Sequence, residues 1–401
     1  MSLTDTPTAE RTIIAFFGRT NVGKSSLINA LTEQSVSIVS PAAGTTTDPV
    51  RKTMELLPIG PVELIDTAGL DDATELGELR RQKTQEILRR TDIAILVVEA
   101  GAERYPLEED LIQHFQNASI PYLLVHNKVD RLPCCPTATD PHSVCVSAEK
   151  KLYLNALKER IAHLHPTKKE SLIVSDLLRA GDLTILVTPI DSSAPKGRLI
   201  LPQQLVLRDL LDHHLAALVT QPEELPRLLQ VLCTPPALIV TDSQVFGKVR
   251  DSIPSDLPLT SFSILMARHK GYLAPAIRGI AALDALRDGD TVLMAEGCTH
   301  HRQCGDIGTV KLPNWIRKHT GKELRIETSS GHGFPDDLSP YKLIIHCGAC
   351  MLQPKEMLYR VRQAEVQQIP ITNYGTAIAH LNGILKRSLD PFPELLSYLA
   401  R

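Results

Sequence analysis

At 401 residues, with 43% hydrophobic and 22% charged side chains, the chain has the make-up of a folded protein of two or three domains and falls outside the disordered and fibrous classes. A formal net charge of -3, from 43 basic and 46 acidic residues, excludes a global positive field that would attract nucleic acid or anionic lipid. The opening Met1-Ser2-Leu3-Thr4-Asp5 has no basic-then-apolar leader pattern and no stretch reaches the roughly 18 apolar residues of a membrane span, so the cytoplasm is the expected compartment.

From Thr12 to about His165 short apolar runs alternate with helical stretches, the rhythm of a parallel α/β sheet. The predicted strands are Ile13–Phe17, Val62–Ile65, Ile93–Val98 and Pro121–Val125. The first runs into Gly18-Arg19-Thr20-Asn21-Val22-Gly23-Lys24-Ser25, a GxxxxGKS loop, and then into a helix opening at Ser26. Such a loop wraps phosphate oxygens in backbone N–H groups at a helix N-terminus. Lys24 is the cation for the outer phosphates and Ser25 a ligand for Mg2+. Gly44-Thr45-Thr46-Thr47-Asp48 is the candidate switch segment, with Thr46, or else Thr45, completing the magnesium shell. Asp66-Thr67-Ala68-Gly69 follows a strand, where Asp66 holds magnesium through water and Gly69 offers an N–H to the γ-phosphate. Asn127-Lys128-Val129-Asp130 and Ser147-Ala148 follow two more strands. There Asp130 accepts from the guanine N1–H and exocyclic amine, which rejects adenine. Four such motifs in this order predict GTP and GDP binding with Mg2+, and hydrolysis of GTP.

These residues resemble the Era-like and tRNA-modification GTPases over roughly Arg11 to His165, which share the Asn-x-Gly-Lys-Ser-Ser loop and a Gly-Thr-Thr switch. The resemblance implies that Asn21 helps hold K+, since potassium-activated members place an asparagine there. Two positions depart from the pattern: Thr47 stands where the family has arginine, and Leu70 stands where Ras-type enzymes orient water with glutamine. Slow turnover, accelerated by a cation or a partner, is the expectation.

A charged, proline-led stretch at Pro166-Thr167-Lys168-Lys169-Glu170 reads as a linker. The chain therefore divides into a GTPase domain over 1–166 and two smaller α/β domains over 171–270 and 271–401. In the middle domain Leu183–Val187 and Ala237–Val240 read as strands around a helical Leu205–Leu218, and the Pro189–Arg198 segment reads as a plain turn. No catalytic constellation and no internal sequence repeat are evident. In the last domain the predicted strands Thr291–Ala295 and Tyr341–Ile345 are each followed by cysteine and histidine. In open α/β sheets ligands gather at such strand ends.

Cys298-Thr299-His300 and His346-Cys347-Gly348-Ala349-Cys350 are separated by residues 301–345. Three thiolates with one or two imidazoles suit an iron–sulfur cluster with an exchangeable fourth ligand, or a Cys₃His zinc site. Inert buried cysteines are the plain alternative. Cys304 is a spare thiol of no assigned role. The Cys-x-His and His-Cys-x-x-Cys pattern behind GTPase motifs resembles the HydF family of FeFe-hydrogenase maturation GTPases. That resemblance implies a dimerising middle domain and a 4Fe–4S cluster on Cys298, Cys347 and Cys350, with His300 or His346 as fourth ligand. It also implies a transient diiron precursor as cargo, with two radical-SAM maturases and apo FeFe-hydrogenase as partners. The competing reading is an RNA- or ribosome-linked GTPase with structural zinc. Against it, residues 276–401 hold 15 basic and 13 acidic side chains and only one tryptophan, Trp315, so neither nucleic acid nor a membrane is an expected partner.

Overall fold

A computed structural model of the chain describes residues 11–32, 50–67, 69, 84, 86–103, 105–132, 142–164, 172–190, 197, 199–297, 307–331 and 333–399. The chain forms two compact units, Met1–Lys168 and Lys169–Arg401. The expected linker at 166–170 and most of the 189–198 turn lie outside the described residues, as do Thr45, Thr46, Ala68, Cys298, His300 and Cys304.

The first unit is built on a six-stranded sheet of order β2-β3-β1-β4-β5-β6. β1 (Thr12–Phe17) lies parallel between β3 (Gly60–Asp66) and β4 (Ile93–Glu99), and all six of its residues are buried. Its unbroken apolar run is what a strand covered on both faces requires. Ile14 and Phe16 enter one core with Leu27, Leu64 and Val125. Ile13, Ala15 and Phe17 enter the other with Leu96 and Phe115. β5 (Tyr122–Asn127) and β6 (Ser143–Cys145) continue the parallel order. β2 (Val50–Leu56) is the exception, an edge strand antiparallel to β3. Its mixed Val-Arg-Lys-Thr-Met-Glu-Leu sequence, half-buried, carries too weak an apolar signal to be predicted. Because β1, β3, β4, β5 and β6 run in one direction, their carboxyl ends share one edge, and the four nucleotide motifs all leave from it.

The second unit carries two four-stranded, all-parallel sheets. One comprises β7 (Leu183–Val187), β8 (Ala216–Thr220), β9 (Leu238–Thr241) and β10 (Leu259–Ser261), in the order β10-β9-β7-β8. The other comprises β11 (Thr291–Ala295), β12 (Arg325–Ser329), β13 (Leu343–His346) and β14 (Ile371–Asn373), in the order β12-β11-β13-β14. In each sheet the second strand flanks the first, and the third and fourth follow on the other side. The two domains thus repeat one topology, although no repeat is visible in the sequence. The last strand of each passes into a helix through a side-chain cap: Ser261 Oγ accepts from Ile264 N at 3.2 Å, and Asn373 Oδ1 from Thr376 N at 2.7 Å. Both helices stop just before a left-handed glycine, Gly271 or Gly383. One contiguous core runs through both sheets.

The helix expected over Leu205–Leu218 is instead Leu201–Asp212, and the remainder is β8. His214, at φ 57°, reverses the chain between them, a break that leucine periodicity alone conceals. Among the described residues no helix is long and apolar enough to cross a membrane.

Candidate functional site

The phosphate loop leaves β1 in a conformation that only its own residues permit. Gly18 has φ 141°, and a Cβ there would lie 2.3 Å from the Val97 carbonyl; Gly23 has φ 94°, and its Cβ would strike the Asn127 amide at 2.3 Å. Asn21 takes φ 62°, a region that asparagine tolerates better than most residues. Lys24 Nζ donates to the carbonyls of Gly18 and Arg19, each at 2.9 Å, so the ammonium is held across the mouth of the loop. Val22 is buried in the core and Ser26 is exposed on the first turn of the helix Lys24–Thr32.

Ser25 Oγ donates to Asp66 Oδ2, joining the loop to the end of β3. The other carboxylate oxygen, Asp66 Oδ1, is buried with no hydrogen-bond partner. Burial raises the Asp66 pKa, and the Ser25 hydrogen bond and the Lys24 and Lys52 charges only partly oppose it. A desolvated carboxylate oxygen beside a serine hydroxyl is a donor set suited to a hard divalent ion such as Mg2+. Gly69 lies against Thr20, whose Oγ1 would be 2.1 Å from a Cβ at that position, so the β3 loop approaches the phosphate loop closely.

The candidate base pocket is assembled by Asn127, itself buried. Its Nδ2 donates to Val22 O at 2.9 Å and its Oδ1 accepts from Ala148 N at 3.0 Å, tying the phosphate loop to the Ser147-Ala148 loop. Lys128, left-handed at φ 67°, pairs with Glu99 at 2.9 Å. Ser147 Oγ donates to Asp130 Oδ1 at 2.5 Å and accepts from Lys150 N at 3.0 Å. The Ser147 hydrogen bond holds the Asp130 carboxyl below its usual range, leaving it ionised and able to accept two hydrogen bonds.

One group at this edge escaped the sequence reading. The Arg19 guanidinium sits 3.6 Å from the centre of the Tyr105 ring and donates to Glu108 Oε1 at 3.1 Å. Glu108 Oε2 also accepts from Tyr105 N, at 3.1 Å. The available signal was Tyr105-Pro106-Leu107-Glu108, proline at the first helical position with glutamate two residues on, a helix start whose acid is free to recruit an arginine.

In the second unit β13 lies between β11 and β14, with His346 opposite Ala295 and Asn373. Cys347 N continues the ladder to Ala295 O at 2.8 Å. The Cys347 sulfur then accepts from Gly297 N at 3.1 Å and Ala349 N at 3.4 Å. Ala349 is left-handed at φ 53°, which turns the loop so that Cys350 follows one turn later. Buried Tyr272 donates to Cys347 O at 3.3 Å. Burial pushes the Cys350 thiol up, and the nearby buried Lys270 pulls it down in part. Lys270 Nζ is anchored on Leu352 O.

His346 is fully buried with both ring nitrogens engaged: Nδ1 with Cys347 O at 3.0 Å and Nε2 with Arg360 Nη1 at 3.0 Å. Arg360, also fully buried, donates to Gly331 O at 2.6 Å and to Glu356 at 3.1 and 3.2 Å. Facing an arginine, Nε2 acts as acceptor, so Nδ1 carries the proton and the ring is neutral. Burial, and then the Arg360 charge, lower its pKa to about 3.

A stability consequence follows. The unfolded chain takes up a proton on His346 near pH ~6.5, whereas the folded chain resists until about 3. Stability from this group is therefore complete above the ordinary histidine range. It falls by up to about 1.4 kcal/mol per pH unit on acidification through that window. Urea unfolding followed by Trp315 fluorescence is expected to show a steeper acid loss in the native chain than in His346→Gln; equal profiles would contradict the neutral, arginine-capped ring.

Comparison with known proteins gives three consecutive matches: a 50S ribosome-binding GTPase model over residues 13–128, a hydrogen maturase F dimerization domain over 173–271 and a hydrogen maturase F tetramerization domain over 274–391. The chain is 35% identical over 158 residues to the tRNA modification GTPase MnmE of Herminiimonas arsenicoxydans, covering 38% of this chain and 34% of that protein. It is 34% identical over 156 residues to the same-named protein of Coxiella burnetii, covering 36% and 34%. The chain thus spans about a third of the length of these curated relatives. Among solved structures, Aquifex aeolicus Era bound to GDP and aluminium fluoride aligns at 18% identity and TM-score 0.35, over 60% of this chain and 97% of that one. The S. thermophilus NFeoB structure aligns at 24% identity and TM-score 0.30, over 38% and 61%.

Proposed function

We propose, for a chain that belongs by its domain make-up to the hydrogen maturase F family, a GTP-hydrolysing scaffold that carries a 4Fe–4S cluster on Cys298, Cys347 and Cys350 and delivers a diiron precursor to apo FeFe-hydrogenase. The GTPase domain hydrolyses GTP with a divalent cation. The observation that carries the rest is the hydrogen bond from Gly297, the residue before Cys298 in the chain, to the sulfur of Cys347. It joins the two cysteine-bearing segments at the carboxyl ends of neighbouring strands, the edge where parallel sheets bind ligands.

The residues present fit such a cluster. Two backbone N–H groups aimed at Cys347 stabilise sulfur as a thiolate, and buried Lys270 offsets negative charge beside Cys350. A bound cluster would supply an iron site with an exchangeable position and one-electron chemistry. His346 is assigned to holding the Cys347 backbone, because Arg360 already occupies the lone pair a metal would need. That leaves His300 or an exogenous group for the fourth place. On this reading two radical-SAM maturases supply the diiron cargo, and loss of the γ-phosphate reorders the switch around Thr46 to trigger handover, with K+ at Asn21 assisting turnover. The dimerization domain supports a homodimer. Its edge strand β8 exposes Ala216 and Val219 and offers a free ladder for pairing.

The domain model and the MnmE relatives for the N-terminal part favour one second reading, an RNA-linked GTPase with structural zinc. Anaerobic purification with iron, sulfide and zinc analysis and EPR separates the two. Stoichiometric iron and sulfide are expected, and zinc without iron would replace the first reading by the second.

A further inference from the structure

Away from the nucleotide pocket and the cysteine loop, three metal-ligating side chains converge from three different helices. Asp284 closes the short helix Ala281–Asp284, His319 lies in the last turn of Leu312–Thr320, and His380 lies in the last turn of Tyr374–Leu381. One carboxylate serves both rings: Asp284 Oδ1 is 2.8 Å from His319 Nε2, and Oδ2 is 2.9 Å from His380 Nε2. The donor atoms of all three lie within 4.8 Å of one another, and the two rings meet edge to face at 5.7 Å. From these positions we propose that Asp284, His319 and His380 form a binding site for a divalent transition-metal ion of the Zn2+ or Fe2+ class, separate from the cysteine centre.

The chemistry of the donors favours this occupant. Two imidazoles and one carboxylate are ligands of intermediate softness, the set that Zn2+ and Fe2+ take and that Mg2+ and Ca2+ do not. Metal–ligand bonds of about 2.0–2.2 Å place neighbouring donors roughly 3.3 Å apart in a tetrahedral site. The carboxylate–imidazole distances need only a small opening, and the two half-exposed rings only a small closing. A single divalent ion satisfies all three groups at once, with each ring keeping its remaining proton on Nδ1.

The fold supports the same conclusion. In a parallel sheet each helix that follows a strand runs back toward the strands' amino ends. The two histidine-bearing helices therefore end at that edge, where their terminal carbonyls favour a cation, and Asp284 lies just ahead of β11 in the chain, whose amino end is at the same edge. His380 follows Asn373 by seven residues, roughly 10 Å along a helix, and Asn373 pairs with His346 beside the cysteines. The two centres thus lie at opposite ends of the third sheet. The side chains of Asp284, His319 and His380 keep 51%, 38% and 25% of their exposure, so an ion can enter from solvent. Three protein ligands leave a position for water or an exogenous group, the pattern of an exchangeable site rather than a closed structural one.

Co2+ titration of the metal-stripped full chain carrying Cys347→Ser and Cys350→Ser tests the site. With Mg2+ in excess to occupy the Ser25–Asp66 edge, one equivalent is expected to bind with the visible absorption of nitrogen and oxygen ligation and no thiolate charge-transfer band. Zn2+ is expected to displace it. His319→Gln and His380→Gln are each expected to weaken binding by at least about tenfold, with unchanged GTP hydrolysis and Trp315 fluorescence as the check on folding. A second measurement needs no substitution: Zn2+ should protect His319 and His380 of the native chain from diethylpyrocarbonate, read by peptide mass spectrometry. Absence of a thiolate-free Co2+ site, unaltered binding in the histidine variants, or no protection by Zn2+ overturns the proposal. None of these outcomes depends on the maturation reading.

Discussion

An Asp130→Asn chain is expected to lose roughly 10⁴-fold of its selectivity for GTP and to accept xanthosine triphosphate in its place. The Ser147 hydrogen bond holds the Asp130 carboxyl below its usual range, and Asn127 fixes both flanking loops at 2.9 and 3.0 Å, so the proposed base pocket is braced on both sides. On the proposed reading the two carboxylate oxygens present acceptors to the guanine N1–H and exocyclic amine. An asparagine presents one acceptor and one amide N–H, which would face that amine donor to donor and leave both unpaired. Xanthine carries a carbonyl at that position and matches the amide. Competition of the two nucleotides in a single-turnover hydrolysis assay measures the change. An unaltered preference for GTP would remove Asp130 from base recognition.

Replacing Cys347 or Cys350 by serine is expected to reduce bound iron and sulfide to background and to abolish activation of apo FeFe-hydrogenase, while GTP hydrolysis continues at the native rate. A serine hydroxyl is not ionised at neutral pH and is a hard ligand, so it cannot replace a soft thiolate on iron. The independence of the two activities follows from the architecture, since the nucleotide motifs and the cysteine loop belong to separate compact units. Parallel measurement of iron content, hydrogenase activation and phosphate release distinguishes the outcomes. Loss of GTP hydrolysis together with the cluster would contradict the separation of the sites, and full hydrogenase activation by an iron-free variant would remove the cluster from the carrier role.

The motifs of the candidate nucleotide site were legible because each is a short segment whose chemistry is local. Gly18 and Gly23 are demanded by close backbone approach, Lys24 and Ser25 open the helix that follows that loop, and Asp66 and Asn127 each close an apolar run readable as a strand. Arg19 with Tyr105 and Glu108 was not legible, since an arginine in the loop has no sequence mark to show which distant ring it will cover. The role of His346 was legible only in part. Its place beside Cys347 marked it as a site residue, but that its lone pair faces inward depends on Arg360 from a later helix. The repeated topology of the second and third sheets was hidden for a related reason: a strand order depends on where apolar runs pair, and many sequences satisfy the same pairing.

The sequence by itself determined the phosphate loop, the motifs proposed to read guanine and the pairing of a GTPase domain with a cysteine-bearing one, because those features are residue types at fixed short spacings. The tertiary structure alone decided which side chains meet across long separations: Gly297 with the Cys347 sulfur, Arg360 with the buried His346, and Asp284 with two histidines from separate helices. Parallel sheets make that division inevitable. Strands that pair side by side are joined by long crossovers, so groups a few ångströms apart in space can lie almost a hundred residues apart in the chain, as Asp284 and His380 do.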